Sequence, residues 1–489
     1  MRRRTPLFSA LDLNQIASGL QPDLHPLHRT LWDEGQNVVF GQGKVKRREP
    51  STLAFSSPDG QPIRGLAQQQ LSNGQRRVWF AAIRFTGSGT FAGFWNGVTT
   101  DIPMLGLGMK DETALAPASF VDFTSYGDWM LVNIPGQING KALLYKAADN
   151  FPPYAQAPSN TLRFIKKLSF VLAIAPAANP RQVAWSDSAN IEDWTPRKEN
   201  AAGSLTLEEL DTPIRAAEHL GDAIAVYSED QMALVRHVGA PFYFVGRLVL
   251  NGIGAVGKMA VCSDGRSNYG VGRNGVWWTD GISYQYIDEG LLSDYLQSNV
   301  NWGQKSKIAA ARNDVTGCIE FSFPMGFSSE PNEAWAFDPR NKGWSKVPAF
   351  TVKDERKVLD RPLAGTAQGL VLLDGAGGSA NNPLSLITKP LMMQAEGAGP
   401  HQVYRLDEVT LLMRDQNNVQ FRLASSHQID GVWEVSEWQD MVGAVTTYNI
   451  YDLEDGVYFR LEFRSTAPDW KLNLQGFMLY GTIEGASRD

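Results

Sequence analysis

The chain has 489 residues, and its 45 Lys and Arg residues against 52 Asp and Glu residues give a formal net charge of -7 at pH 7. A hydrophobic fraction of 43% supplies enough apolar surface for a core and excludes a disordered or low-complexity chain. The acidic balance disfavours a protein that grips nucleic acid through a general basic surface. Because single cores stop growing at roughly 250–300 residues, we expect two units or one large ring-like all-β unit.

Residues 1–29 predict an extended N-terminal arm. They are rich in Pro and polar residues and have too few apolar side chains for a core, so we expect them to order only against a neighbouring subunit or partner. The basic start, Met1–Arg4, is not followed by an apolar run typical of a signal peptide. No stretch of 18 apolar residues occurs, so we expect a soluble protein that is made in the cytoplasm and does not insert into a membrane by itself.

Turn dipeptides dominate the chain after the arm. Asn-Gly and Asp-Gly pairs favour type I′ hairpin turns, because both central residues need a positive φ. These pairs begin at Asn73, Asn96, Asn139, Asn251, Asn274, Asp59, Asp264, Asp280, Asp374, Asp430 and Asp455. Short aromatic and β-branched runs between them, such as Val78–Ile83 and Gly275–Trp278, predict antiparallel strands.

Helical periodicity is scarce. Glu289–Val300 is the one convincing amphipathic helix, and part of Leu205–Leu220 is a weaker candidate because Pro213 interrupts it. The sequence therefore predicts an all-β fold and disfavours a parallel sheet with crossover helices.

A weak internal repeat suggests how the strands are arranged. In three segments, Phe91–Gly97, Tyr269–Gly281 and Ala334–Trp344, an aromatic strand is followed by a tight turn and a second aromatic residue. The spacing of the aromatic residues is compatible with roughly 40–50 residues per four-stranded propeller blade. We predict a β-propeller over residues 30–378, and a pair of ordinary β-sandwiches remains the alternative.

The composition changes after the predicted propeller. Residues 375–383 are rich in Gly, Ser and Asn and are typical of a linker. Beyond them, Val457–Phe463 and Leu472–Leu479 alternate apolar and polar residues, as half-buried strands do. We therefore predict a small C-terminal β-sandwich over residues 379–489.

The sequence predicts no catalytic, cofactor-binding or metal-binding residues. Cys262 and Cys318 lie far apart without a CxxC partner, and His25 and His28 have no Cys or acidic neighbour that would complete a metal site. The spacing of Gly252–Gly257 fits a dinucleotide-binding loop, but a β-like run follows it instead of a helix, so packing glycines are favoured.

Propellers also include glycosidases, which use paired carboxylates. Acidic loop residues are available for such a site, but the sequence lacks a sialidase Asp-box, so we interpret them as turn aspartates and glutamates. They are Asp187, Glu192, Asp193, Asp230, Asp264 and Asp288. The sequence thus predicts a protein that is not an enzyme, with a carbohydrate-binding or carbohydrate-hydrolysing propeller as the alternative.

Several segments, in order, suggest a known family. Trp32–Pro50 contains an Asn-x-x-Phe strand that turns through Gly into a basic strand, and Val183–Asp187, Ala223–Ser228 and Asn274–Asp280 follow it. Together with the closing strands Val457–Arg460 and Leu474–Phe477, they resemble the tail hub, or nozzle, proteins of short-tailed bacteriophages. The resemblance covers most of the chain through short motifs whose combination is more specific than any one of them.

The resemblance implies a structural virion protein of the phage tail, made in the host cytoplasm. It implies a ring of six copies below the tail adaptor protein, with tail fibre or spike proteins as further partners. Such a ring would enclose the channel through which double-stranded DNA is ejected. An acidic protein suits a channel that passes DNA without binding it tightly.

Channel-facing residues would then be acidic or polar. Among the turn loops we predict Glu229, Asp230 and Asp264 to face the DNA. For a closed state before ejection, the apolar, glycine-containing run that includes Met104 and Met109 is a candidate gate, and a buried strand end is its alternative interpretation.

Overall fold

The structure is a computed structural model that describes most of the chain. The described residues are 6–10, 18–23, 31–41, 44–48, 51–56, 62–84, 89–95, 120–134, 141–146, 155–314, 316–354, 363–373, 383–393 and 402–486. Within these ranges the backbone is mostly strand, which confirms the all-β class.

Thirty-nine strands are defined among the described residues, and the first five lie in the N-terminal part of the chain. These are β1 (Phe8–Ala10), β2 (Trp32–Gln36), β3 (Val38–Gly41), β4 (Lys44–Arg47) and β5 (Thr52–Ser56).

The next strands form seven small antiparallel sheets in the described part of the chain, here called sheets 1 to 7. Sheet 1 has β6 (Ile63–Gln70), β7 (Arg76–Arg84) and β8 (Gly89–Trp95), and sheet 2 has β9 (Asp122–Tyr126), β10 (Trp129–Asn133) and β11 (Leu143–Tyr145). Sheet 3 has β12 (Arg163–Lys167), β13 (Phe170–Ile174), β14 (Gln182–Trp185) and β15 (Gly203–Thr206). Sheet 4 has β16 (Ala216–Leu220), β17 (Ala223–Tyr227), β18 (Gln231–Gly239) and β19 (Tyr243–Asn251). Sheet 5 has β20 (Val261–Ser263), β21 (Asn268–Gly272), β22 (Gly275–Thr279) and β23 (Tyr284–Tyr286). Sheet 6 has β24 (Ala309–Arg312), β25 (Ile319–Phe323), β26 (Glu333–Asp338) and β27 (Gly343–Val347). Sheet 7 has β28 (Val352–Asp354), β29 (Leu363–Gly365) and β30 (Gly369–Leu372), and β5 completes it.

The remaining strands follow sheet 7. They are β31 (Leu384–Thr388), β32 (Leu391–Met392), β33 (Gln402–Asn417), β34 (Gln420–Ser426), β35 (Glu434–Val435), β36 (Gln439–Asp440), β37 (Val445–Asn449), β38 (Tyr458–Ser465) and β39 (Lys471–Ala486).

Helix is confined, among the described residues, to α1 (Ser293–Asn299) and a 3-10 segment at Trp302–Lys307. The helix therefore begins four residues after the predicted start at Glu289 and ends one residue before Val300. The prediction of partial helix in Leu205–Leu220 is wrong, because the ends of that segment belong to β15 and β16. Pro213 lies between these strands and cannot donate the backbone hydrogen bond that a helix interior needs.

The seven sheets follow one another in a cyclic order. The first strand of each sheet contacts the first strand of the next, and β28 of sheet 7 contacts β6 of sheet 1. Apolar clusters fill the spaces between neighbours: Leu131 of sheet 2 packs in one cluster with Phe164 of sheet 3, and the rings of Tyr227 in sheet 4 and Trp277 in sheet 5 lie 5.0 Å apart. Each sheet therefore buries apolar side chains against both neighbours, which favours closure over an open stack.

The chain closes this cyclic array with a strand from before sheet 1. Strand β5 pairs antiparallel with β30, so that Leu53 lies opposite Val371 and Phe55 opposite Leu370. The outermost strand of sheet 7 thus comes from the N-terminal side of the array. Opening the array between sheets 7 and 1 would break these backbone hydrogen bonds.

A buried ion pair network joins three parts of the chain beside this closure. Glu320 Oε2 in β25 lies 2.7 Å from Lys353 Nζ in β28, and Glu320 Oε1 lies 3.6 Å from Arg48 Nη2, just after β4. The amide of Asn313 also donates to Glu320 Oε1. Burial alone would raise the pKa of Glu320, but the neighbouring Lys353 and Arg48 cations lower it to about 2.

The strands at the two ends of the chain form two terminal sheets. The first terminal sheet has the order β3-β4-β39-β33-β37, with β1 also on β39, and the second has β2-β31-β38-β34-β35, with β32 and β36 on its strands. Side chains from both, such as Phe477 of β39 and Phe459 of β38, share one buried cluster with Phe321 and Trp344 of sheet 6. The terminal sheets therefore pack on each other and on the cyclic array.

The strand pairing differs from the sequence-based partition at residue 30. Strands β2 to β4 were expected in the unit 30–378, but β2 pairs with β31 and β4 pairs with β39. Parts of the arm are also ordered by the chain itself: Phe8 lies opposite Leu479, and the side chains of Ala10 and Leu20 are buried. A neighbouring subunit is thus not needed to hold these parts, because strands of the same chain supply the apolar contacts.

The arm also caps α1. The carboxylate of Asp23 accepts hydrogen bonds from the backbone N–H groups of Asp294 and Tyr295, both at 2.8 Å. These are N–H groups of the first helical turn, which have no partner inside the helix. The contact attaches the arm to the connection between sheets 5 and 6.

We predict that Glu320→Gln destabilises the protein strongly at neutral pH. The substitution removes the carboxylate that pairs with the buried Lys353 and Arg48 cations, which costs about 3–5 kcal/mol in comparable pairs. Because the pKa of Glu320 is lowered from 4.5 to about 2 in the folded protein, its contribution is present above about pH 4.5 and is lost as the pH falls towards 2. Urea unfolding midpoints across this range measure the difference from wild type.

The matched control is Arg197→Ala, which removes an exposed ion pair with Asp193 and should change the midpoint little. A Glu320→Gln midpoint within the error of the control at pH 7 would contradict the prediction.

We also predict that Asp23→Ala lowers the free energy of unfolding by about 1 kcal/mol, the usual effect of losing a helix cap. Amide hydrogen exchange in residues 18–23 and in the first turn of α1 should become faster. Asp23→Asn keeps a side-chain oxygen acceptor and should have the smaller effect. Unchanged exchange in Asp23→Ala would show that the apolar contacts of the arm suffice to hold it.

Candidate functional site

A groove of about 700 Å³ lies where β2 of the second terminal sheet approaches sheet 6 and α1. One wall is formed by β2 and the turn after it, where Asp33, Glu34 and Gln36 are exposed. The opposite wall includes Tyr295 of α1 and Trp335 of β26. Residues from distant parts of the sequence thus combine carboxylates, an amide and aromatic rings in one concave surface.

Glu333 organises the aromatic wall of the groove. Its Oε1 accepts hydrogen bonds from Tyr295 Oη and Trp335 Nε1, each at 2.8 Å, and its Oε2 lies 2.5 Å from Lys346 Nζ. The Tyr295 and Trp335 rings lie 5.7 Å apart in an edge-to-face arrangement. Burial, and then the Glu333 carboxylate, raise the pKa of Tyr295, so the phenol stays neutral and keeps its donor proton. The two rings are therefore held in fixed orientations.

A smaller cleft of about 300 Å³ lies at one end of sheets 4 and 5 and includes the predicted residue Glu229. The charged residues that line it with Glu229 are basic: Arg215, Arg273 and Lys305. Glu229 Oε1 lies 4.0 Å from Lys305 Nζ, so its charge is partly balanced within the cleft. Residue type alone predicted an acidic surface here, and the basic neighbours come from other turns and from the 3-10 segment.

The structure separates the predicted channel-facing residues. Glu229 and the exposed Asp230 lie in the turn between β17 and β18, and the Asp230 carbonyl accepts a hydrogen bond from Gly252 N before β20. Asp264 lies at the other end of β20, where the neighbouring Gly265 carbonyl accepts from Gly221 N. Asp264 is thus not brought together with Glu229 and Asp230. Met104 and Met109 lie outside the described residues.

Several acidic residues that a hydrolase could use serve turns instead. Asp264 Oδ1 accepts from the backbone N–H groups of Arg266 and Ser267, and Asp280 Oδ1 accepts from those of Ile282 and Ser283. This agrees with the interpretation of these aspartates as turn residues, in which the carboxylate satisfies nearby backbone donors.

The glycine-rich segment before β20 has a packing role. A Cβ added at Gly254 would overlap the backbone at Glu229, and one at Gly257 would lie 3.2 Å from Ser306 Cα. The carbonyl of Gly254 also accepts a hydrogen bond from Trp277 Nε1 at 2.8 Å. These contacts confirm packing glycines, since the backbone approaches other backbone closely at both positions.

Asp288 is a buried carboxyl that the sequence did not distinguish from the turn aspartates. Its Oδ2 accepts from Val276 N at 3.0 Å, and Gly275 leaves room for the carboxylate because a Cβ there would lie 2.8 Å from its oxygens. Burial, with smaller contributions from Asp23 and Glu289, raises its pKa to about 6. The backbone contact identifies it as a structural acceptor that couples folding to protonation.

Two further findings concern other kinds of site in the described part of the chain. No group of three or more His, Cys, Asp or Glu side chains there could hold a metal ion. No described helix is long and apolar enough to cross a membrane.

Comparison with known proteins gives no family. No protein-family model and no curated protein matches the chain. Among solved structures, the extracellular domain of a one component system from B. thetaiotaomicron is 8% identical with a TM-score of 0.45, over 79% of this chain and 47% of that one. A structure named glycoside hydrolase is 9% identical with a TM-score of 0.28, over 88% of this chain and 100% of that one.

A third similar structure is the C-terminal domain of a chitobiase from Bacteroides fragilis, 14% identical with a TM-score of 0.16, over 21% of this chain and 64% of that one. In the first of these comparisons, the chain spans about half the length of the B. thetaiotaomicron domain. TM-scores below 0.5 do not establish a common fold, so the functions of these proteins are not transferred to this chain.

We predict that Asp288→Asn makes the protein more stable at pH 7 than wild type, by on the order of 2 kcal/mol. The folded-state pKa is raised from 3.8 to about 6, so the stability linked to the protonated carboxyl is present below pH 3.8 and is lost as the pH rises through 6. Asparagine keeps an oxygen acceptor for Val276 N without a charge. Urea unfolding at pH 4 and pH 7 measures the effect.

Asp280→Asn is the control, because the pKa of this exposed turn aspartate is lowered by the backbone N–H groups of Ser283 and Ile282. It should not gain stability relative to wild type as the pH rises from 4 to 7. An equal response of the two variants would contradict the role assigned to Asp288.

Proposed function

We propose that the chain is a structural subunit of a short bacteriophage tail, which forms a ring around the channel for double-stranded DNA. The main support is the way the segments that carry the family resemblance fold together. Val45, in the basic strand of the N-terminal segment, lies opposite Leu474, in the closing segment of the resemblance. Two parts of the pattern that are more than 400 residues apart are thus neighbours in one sheet.

We further propose that sheets 1 to 7 are the blades of a β-propeller. Three features support this: the sheets are antiparallel meanders, their first strands are in cyclic contact, and a strand from the other end of the array completes sheet 7. Propellers are built by such radial repetition, which leaves only short sheet edges exposed. A rigid body of this kind suits a subunit that must keep a channel open while DNA passes through it.

In this proposal six copies form the ring, the tail adaptor lies above it and fibre or spike proteins attach to it. The ring passes DNA without binding it tightly, since the net charge of the chain is -7. Glu229 and Asp230 remain predicted channel-facing residues, and the basic neighbours of Glu229 bring positive charge close to them. The balance of charge at this end would then determine how strongly the ring slows the DNA.

The size of the purified protein tests the proposal. Six copies of the 53.9 kDa chain would have a mass of about 323 kDa, which mass photometry separates from a monomer. Negative-stain images of the protein, alone and mixed with its neighbouring tail proteins, should show rings with a central opening. A monomer under both conditions would contradict the proposal.

We predict that replacing Glu229 and Asp230 with Lys slows DNA release from virions. The new cations would bind phosphate groups, and the effect should weaken as salt screens them. Release is followed by the fluorescence of a DNA-binding dye after receptor-triggered ejection at low and high salt. Glu208→Lys is the control, because this residue is 76% exposed and follows β15, the outermost strand of sheet 3.

Release that is equally fast in wild type and in the double variant at every salt concentration would show that the turn between β17 and β18 does not face the DNA.

The groove between β2 and sheet 6 favours a second candidate function, carbohydrate binding. Ordered aromatic rings beside exposed carboxylates, such as Tyr295 with Asp33 and Glu34, provide apolar faces and hydrogen-bond acceptors for sugar hydroxyls. A glycan array with wild type and with Asp33→Ala/Glu34→Ala tests it. Binding that the double variant loses, and that the control Glu208→Ala keeps, would support this candidate over a purely structural role.

A further inference from the structure

The hairpin β18–β19 extends beyond the rest of sheet 4. The last pair between β17 and β18 joins Ala223 to Arg236, whereas β18 continues to Gly239 and β19 begins at Tyr243. Residues 237–244 therefore extend past the end of β17, with the buried Phe244 packed on Phe170 of sheet 3 and the other face exposed. We call residues 236–247 the projecting hairpin.

Apolar side chains of the projecting hairpin are exposed to solvent. Phe242, in its turn, is 71% exposed, Val238 is 53% exposed and Val245 is 45% exposed. Their neighbours are basic: Arg236 lies directly opposite Val245, and Arg247 follows two residues later on the same strand. Residues 231–251 contain no Asp or Glu, so the hairpin combines apolar and positively charged surface.

A second exposed apolar surface lies on the terminal sheets, at residues 428–456, which we call the acidic edge. Its exposed apolar side chains include Val432 at 83%, Val445 at 67% and Tyr451 at 82%. Strand β37 is the last strand in its sheet and pairs with β33 alone among the described strands, so its outer edge has no strand partner there.

The charge of the acidic edge is opposite to that of the hairpin. Residues 428–456 contain seven acidic residues and no Lys or Arg, so acidic residues predominate there. Arginines of β34 and β38 stack on two tryptophans of the segment: Arg422 and Arg464 on Trp438, and Arg460 on Trp433. Glu434 and Glu437 are both exposed, and Glu434 belongs to the short strand β35 beside the exposed Val435. Single exposed apolar residues are ordinary, but two clusters of them with opposite predominant charge are complementary to each other.

We propose that the projecting hairpin of one copy binds the acidic edge of a second copy. Apolar contact through Phe242 and Val238 would form the centre of the interface, and Arg236 and Arg247 would pair with acidic residues such as Glu434 at its rim. Because two different surfaces meet, the contact is heterologous and is repeated by every copy, so a suitable rotation closes it into a ring. The inference rests on the ring assembly proposed above and identifies its contact surfaces.

Charge reversal on each surface tests the proposal. Arg236→Glu/Arg247→Glu places carboxylates on the hairpin where it meets the acidic edge, and Glu434→Arg/Glu437→Arg places cations on the edge where it meets the basic hairpin. Each variant alone should self-associate at least about tenfold more weakly than wild type in mass photometry or sedimentation velocity, because like charges then face each other. All four positions are exposed, so circular dichroism of each variant should match wild type.

An equimolar mixture of the two variants is the decisive sample. The new carboxylates on the hairpin of one variant then meet the new arginines on the edge of the other, and the unchanged hairpin of the second meets the unchanged edge of the first. The mixture should assemble with close to wild-type affinity, in rings whose copies alternate. Lys198→Glu, an exposed cation near the end of sheet 3, is the control and should assemble like wild type.

The outcomes separate this inference from the proposed function. If wild type forms rings and each double variant alone also assembles normally, the hairpin contact is wrong and the proposed ring still stands. Weakened variants that are not rescued by mixing would also overturn it. A wild-type protein that stays monomeric, alone and with its tail partners, would overturn both the contact and the proposed ring.

Discussion

The return of the N-terminal segment to the last sheet is the constraint on which the rest of the structure depends. Strand β5 completes sheet 7, and beside it the buried Glu320 holds Lys353 and Arg48. Without β5, the outer edge of β30 would be unpaired, and sheet 7 would lose the strand that comes from before sheet 1. The ion pairs also determine how β25, β28 and the segment after β4 lie relative to one another, because Glu320 of β25 must lie close to a cation from each of the other two. Hydrogen bonds and buried charges thus act on the same junction.

The same N-terminal segment joins the array to the terminal sheets. Before it reaches Arg48, the chain supplies β2 to one terminal sheet and β3 and β4 to the other. Earlier in the chain, Asp23 attaches residues 18–23 to α1. The buried cluster around Trp344 contains side chains from both the array and the terminal sheets. A chain built in this way is expected to move as one piece, because separating its parts would expose a continuous apolar core.

The distribution of charge matters more for function than the net charge. The chain is acidic as a whole, yet the projecting hairpin is basic and the cleft at Glu229 is lined by Arg215, Arg273 and Lys305. Local reversals of sign of this kind favour contact between copies or with other acidic partners. In a DNA channel of the kind proposed above, only the residues at the channel surface would act on the phosphate groups at short range.

The sequence by itself determined the features that depend on neighbouring residues. Turn chemistry at Asp264 and Asp280 and the approximate position of α1 were predictable, because the donor and acceptor groups or the apolar pattern lie within a few residues. Packing glycines at Gly254 and Gly257 were predicted only because no helix follows them, since the backbone that they approach, at Glu229 and Ser306, is distant in sequence. Tertiary structure alone decided that β2 to β4 pair with strands near the other end of the chain and that Asp264 lies away from Glu229. It also created the groove, whose wall residues Asp33 and Trp335 are about 300 positions apart. Which strand edges pair over such distances depends on how whole sheets bury their apolar faces, and local residue patterns do not contain that information.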